Sequence, residues 1–219
     1  MPHRSSGPYF SMSRVEAYTD AVFAIAATLL VLDLTATALG QVTTDDQMWA
    51  ALAGMGEDFM AFAVSFFLLS LLWVIHLQQW RDLGRVDGTL LWINNARLLF
   101  IVLIPFTTSL VSEYSEFYAG RILLPVNFFF AALCGYLSWV WAARDGGRLL
   151  KDEAKDDRQE QSIGGLVAVL CGAVAVLLSP FIGSWGFLAY VFNGPATALL
   201  VRRSRKRAAA GTDAAPPAA

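Results

Sequence analysis

Apolar residues run through this chain in long stretches separated by short polar segments. Residues 59–80, 122–143 and 161–201 contain no Asp, Glu, Lys or Arg. About 20 apolar residues suffice for a helix to cross a bilayer. The third stretch is therefore too long for one crossing. Its break falls at Ser179-Pro180-Phe181-Ile182-Gly183-Ser184, where proline and glycine end helices. It divides into spans over 162–179 and 185–201. Two further spans carry ionisable residues. Residues 14–34 reach span length around an apolar centre bracketed by Asp20 and Asp33, and residues 89–111 are apolar except for Arg97. The pattern predicts an all-α integral membrane protein with six transmembrane helices per subunit.

Composition and charge agree. Of 219 residues, 56% are hydrophobic and 16% charged, against roughly 25% charged in a typical globular protein. So few charges would not cover a soluble surface. This excludes a disordered chain and a disulfide scaffold, and a net charge of −2 offers no basic field for nucleic acid. Cys134 and Cys171 both lie in apolar stretches and read as small packing residues. Of the 16 Lys and Arg residues, 14 fall before the first span, between spans two and three, between four and five, or after the sixth. By the positive-inside rule, both termini are expected in the cytoplasm and the protein in the cell membrane. Residues 1–13 form a cytoplasmic arm, 14–201 the membrane domain and 202–219 a basic tail, disordered from Ala208. No small-residue cleavage site follows an early apolar core, so the first span is expected to remain.

On a helical wheel, Ile25, Thr28, Leu29 and Leu32 share one stripe of the first span, and Asp20 points about 140° away from Ile25. Packing against neighbours or lipid explains such a stripe as well as any function does. Asp20, Trp73, His76 and Asn94 fall at one depth, near the cytoplasmic ends of spans one to three. Buried polar groups at that depth need partners. One network of Asp20, Trp73, His76 and Asn94, reached by Arg14, would satisfy them. Separate helix-to-helix hydrogen bonds from His76 and Asn94 would do so too.

The segment Arg14-Val-Glu-Ala-Tyr18-Thr19-Asp20-Ala21 resembles the Arg-x-x-x-Phe-Ser-Asp-Gly signature of the transmembrane protein 175 family, which includes bacterial potassium channels and the endolysosomal channel of animals. Trp73-Val-Ile-His76, Leu-Trp92-Ile-Asn94 and Pro105-Phe106-Thr107-Thr108 are further matches, and the resemblance covers about residues 14–110. Tyr18, Thr19 and Ala21 stand where Phe, Ser and Gly are commoner. Arg97 stands where an apolar or aromatic residue is expected.

The resemblance implies a homotetramer in which the first helix of each subunit lines a central pore. It implies apolar constrictions at Ile25, Leu29 and Leu32, a selectivity-bearing hydroxyl ring at Thr28, and cation-concentrating Asp33 at the outer mouth. It adds Tyr18 and Thr19 to the structural polar network. Potassium is then the permeant species among monovalent cations, membrane lipids and the chain's own copies are the partners, and no cofactor is needed. The sequence contains no Thr-Val-Gly-Tyr-Gly loop, so selectivity falls to side chains. Asp20 and His76 leave proton conduction as a rival. Asn193-Gly194-Pro195, which interrupts span six, leaves a secondary transporter as another. An intramembrane enzyme is disfavoured, because neither Gly-x-Ser-x-Gly nor His-Glu-x-x-His occurs. For Thr28, the expected alternative is a hydroxyl bonded back to the carbonyl of Ala24.

Overall fold

In the computed structural model, residues 9–34 and 39–213 are described, with only the backbone for Asp33, Ser184 and residues 206–213. Helix α1 (Met12–Leu29) tightens into a 3-10 turn over Leu30–Asp33. A short helix α2 (Asp45–Gly54) was not expected from hydropathy. Its start has a local cause: the Thr44 side chain accepts from Gln47 N at 3.3 Å, and Asp45 and Asp46 sit in the first turn, where the helix dipole favours negative charge. Helix α3 (Gly56–Arg81) follows directly.

The span expected over 89–111 is two helices, α4 (Gly88–Val102) and α5 (Ile104–Tyr114). Pro105 lies in the first turn of α5 and has no N–H to continue the ladder of α4. Thr107 and Thr108 donate their hydroxyls to the Leu103 and Ile104 carbonyls at 3.0 and 2.8 Å, and Asn127 Nδ2 donates to Phe100 O at 2.9 Å. Pro105 therefore supplies the kink, and Asn127 meets a carbonyl beside it.

Helix α6 (Tyr118–Ala142) packs against α4, α5 and α8 (Arg158–Ile182) and is the best buried of the long helices. Gly120 permits the tight turn from α5, since a Cβ there would lie 1.9 Å from Tyr114 O. A short turn α7 (Arg144–Gly147) ends α6 through Asp145 and Gly146, both at positive φ. Asp87 joins the elements at this end. It caps α4 by accepting from Leu90 N at 2.9 Å, accepts from Trp141 Nε1 at 3.1 Å, and accepts from Arg148 Nη2 at 2.7 Å.

The sixth expected span, 185–201, is not one α-helix. Gly183 turns the chain at φ 58°, a 3-10 segment runs over Gly183–Phe192, and α9 (Asn193–Asp213) begins afresh. Gly186 lets this segment approach α8 closely: a Cβ there would lie 2.6 Å from Ser179 Oγ and 3.1 Å from Ala175 O. Asn193-Gly194-Pro195 opens α9, where the missing proline N–H costs nothing. Among the described residues, five helical segments are long and apolar enough to cross a membrane: Met12–Leu32, Gly56–Arg81, Gly88–Tyr114, Tyr118–Ala142 and Arg158–Ile182. The tail expected to be disordered from Ala208 continues helical to Asp213, and 214–219 lie outside the described residues.

The main core joins Phe23, Ala26 and Leu30 of α1 to Leu69 and Leu72 of α3, Leu98 and Ile101 of α4, and Phe128 and Ala131 of α6. A second cluster around Trp80, Leu90, Trp139 and Leu150 closes the end of the bundle near the described chain ends. Phe10 bonds to Val86 at that end, and Arg205 pairs with Glu160 there.

Candidate functional site

Helix α1 has two unlike faces. Val15, Thr19, Phe23, Ala26 and Leu30 recur at helical spacing and are buried. Ile25, Leu29 and Leu32 are 55%, 41% and 63% exposed, and Thr28 is exposed between them. The stripe drawn from the wheel is thus the face that the subunit leaves uncovered. The Thr28 hydroxyl donates to Ile25 O at 2.9 Å rather than to Ala24. That bond uses the hydroxyl's hydrogen and leaves oxygen lone pairs free to face a cation. The side chain of Asp33 lies outside the described residues.

The polar groups of spans one to three do not form a single network. Asp20 Oδ1 accepts from Trp73 Nε1 at 3.0 Å. Thr19 Oγ1 accepts from Asn94 Nδ2 at 2.9 Å. His76 Nδ1 lies 3.2 Å from Arg97 Nη1. The expected links from Asp20 to His76 and Asn94 are replaced by these three pairs. The cause is rotation along α1. Thr19 and Asp20 are about 100° apart, so Thr19 faces α4 while Asp20 faces α3. Arg14 and Tyr18 are exposed and belong to none of the pairs.

Arg97 is the functional-looking residue whose place the sequence reading missed. It is 2% exposed. Nη2 donates to Leu72 O at 3.0 Å, and Cζ stands 5.9 Å from the Phe23 ring centroid. A Cβ at Gly135 of α6 would sit 3.1 Å from Cζ. One guanidinium therefore ties α1, α3, α4 and α6 at one level. Because it donates to Nδ1, His76 carries its hydrogen on Nε2 and is neutral. The signal was present as spacing: Leu90, Asn94, Arg97 and Ile101 form a 4-3-4 stripe that faces inward as a unit. Among the described residues, no group of three His, Cys, Asp or Glu could hold a metal ion.

These features define a class: a helical multi-pass membrane protein with a packed core and exposed apolar helix faces, among them the stripe on its first helix. The family model described as "Endosomal/lysosomal potassium channel TMEM175" matches residues 14–105. A potassium channel of Streptomyces collinus is 36% identical over 101 residues, which cover 46% of this chain and 48% of that one. A potassium channel of Chamaesiphon minutus is 32% identical over 149 residues, which cover 67% of this chain and 72% of that one. The crystal structure of a lysosomal potassium-selective channel TMEM175 homolog from Chamaesiphon minutus superposes with a TM-score of 0.59 at 24% identity, over 85% of this chain and 97% of that chain. The chain belongs to the TMEM175 family, whose members are ion channels and not enzymes. It spans about half the length of its Streptomyces relative.

Proposed function

We propose that the chain forms a potassium-permeable channel in the cell membrane, as a homotetramer with α1 of each subunit around the pore and both termini cytoplasmic. The observation that carries this reading is the uncovered stripe of α1. Four copies brought together on it give apolar rings at Ile25, Leu29 and Leu32, with a ring of Thr28 oxygens between them. Apolar rings gate by excluding water, and neutral oxygens replace part of a cation's hydration shell. Asp33 concentrates cations at the outer mouth, and no resident cofactor takes part.

The segment after α8 completes a sixth crossing in this reading. Ten residues of 3-10 helix rise about 20 Å. The nine residues of α9 up to Val201 add about 13 Å. Together these match a hydrocarbon core of about 30 Å. Packing of both parts against α8 supports the same path. Proton conduction through His76 is disfavoured, since a neighbouring guanidinium already donates to its Nδ1.

The test is planar-bilayer recording of the purified protein in asymmetric potassium and sodium. The expected reversal potential lies towards the potassium equilibrium potential, and Ile25→Asn raises the leak current by hydrating the constriction. A reversal potential that follows the proton gradient would refute the potassium reading.

A further inference from the structure

At the end of the bundle away from the described chain ends, α3, α5, α6 and the segment after α8 enclose a cavity of about 280 Å³. Its polar wall holds Glu57, Ser112 and Arg121. Ser112 Oγ and Arg121 Nε are both buried there and have no hydrogen-bond partner. Two unpartnered donors in one buried wall are costly. Both atoms are closed to a water-sized probe as they stand, so a tetrahedral anion in the cavity would accept from them after a small shift of the two side chains.

The cavity does not end in polar residues. It shares Glu57, Met60, Trp185 and Phe187 with a second groove of about 640 Å³, which runs along α3 past Ala63 and Phe67. That groove runs along α3, a helix long and apolar enough to cross a membrane. A charged pocket opening into an apolar channel fits an amphiphile with its head in the one and a hydrocarbon chain in the other. Glu57 stands at the junction as an acceptor for a donor carried by the head.

We propose that this is a phospholipid site: Arg121 and Ser112 hold the phosphodiester, Glu57 holds a primary ammonium group, and one acyl chain lies along α3. The ligand class is an aminophospholipid of the leaflet that borders this end. A quaternary ammonium head has no N–H for Glu57, so phosphatidylcholine binds less well than phosphatidylethanolamine. The assignment does not depend on which ion the protein conducts.

The test is native mass spectrometry of the purified full chain, with dioleoyl phosphatidylethanolamine, dioleoyl phosphatidylcholine or inorganic phosphate added in turn. Phosphatidylethanolamine is expected to be retained in preference to phosphatidylcholine. Arg121→Gln should lower retention of both lipids about tenfold, the scale of one charge-assisted hydrogen bond. Glu57→Gln should abolish the preference and leave phosphatidylcholine binding in place. Ala63→Phe, which fills the groove, should lower retention of both lipids while Arg121 is intact. Ser112→Ala serves as the milder variant should Arg121→Gln alter oligomer size, with a loss of about threefold. Unchanged retention in Arg121→Gln or Ser112→Ala, equal retention of the two lipids by the unaltered protein, or displacement of the lipid by phosphate alone would overturn the proposal.

Discussion

Gly135→Ala adds one methyl group where the guanidinium of Arg97 already sits. The new Cβ would lie 3.1 Å from Cζ and 3.4 Å from Nε and Nη1. Relief requires one side to move by a few tenths of an ångström. Arg97 has little room to give: its nitrogens are bonded to His76 and Leu72 O on α3, and Phe23 of α1 lies against it. Gly135 is equally fixed, because its carbonyl accepts from Gln79 Nε2 and its helix is central. Overpacking of this kind costs about 1–3 kcal/mol. For a chain of this size that lowers Tm by roughly 2–4 °C per kcal/mol. Thermal unfolding of the purified protein, followed by tryptophan fluorescence, reads it directly. The Arg97→Met partner variant keeps an unbranched side chain but removes the planar group. In that background Gly135→Ala should cost less than about half as much, and the double-mutant cycle isolates the contact. An unchanged Tm for Gly135→Ala, or equal costs in both backgrounds, would show that Arg97 does not pack on Gly135.

Further substitutions probe three separate layers. Asp87→Ala should cost about 2–4 kcal/mol, since the α4 cap, the Trp141 bond and the Arg148 pair are lost together; Asp87→Asn should recover the cap and the Trp141 bond, which share Oδ1, and lose the Arg148 pair, and both are read by Tm. Asp20→Asn should cost under about 1 kcal/mol because an acceptor for Trp73 remains, whereas Asp20→Ala and Trp73→Phe should cost alike and not add; additive losses would separate the two residues. Thr28→Val should bring the potassium-to-sodium permeability ratio towards one while the oligomer still assembles, and Thr28→Ser should keep most of the preference; unchanged reversal potentials for Thr28→Val would remove the hydroxyl from selectivity.

The hydropathy pattern located the five span-length apolar helices because bilayer length is a coarse constraint that single residues seldom override. The α1 stripe was legible for a similar reason. Ile25, Thr28, Leu29 and Leu32 differ from Thr19, Phe23 and Ala26 in angle, not in polarity, so the wheel separates them where hydropathy does not. The segment after α8 was less legible. Residues 185–201 are as apolar as any span, and nothing in hydropathy distinguishes a 3-10 segment from an α-helix. The segment's close approach to α8, at Gly186 against Ser179 and Ala175, is a contact between elements that hydropathy does not record.

The polar pairs show the same limit more sharply. Depth along each helix placed Asp20, Trp73, His76 and Asn94 at one level, and Asp20 does bond to Trp73. Depth alone does not say which of several groups at that level face each other. Angle does, and it assigns Asn94 to Thr19 and leaves His76 to Arg97. Arg97 looked out of place because it was weighed by its cost in a membrane rather than by its position on α4. A buried guanidinium held only by neutral groups persists where the surrounding helices are shaped to receive it. Here the shape is the missing side chain of Gly135, the ring of Phe23 and the carbonyl of Leu72. Each is unremarkable in its own helix. Together they seat the arginine against Phe23, on the face of α1 opposite Ile25, and this contact joins the Thr19–Asn94 and Asp20–Trp73 bonds in setting how α1 is rotated.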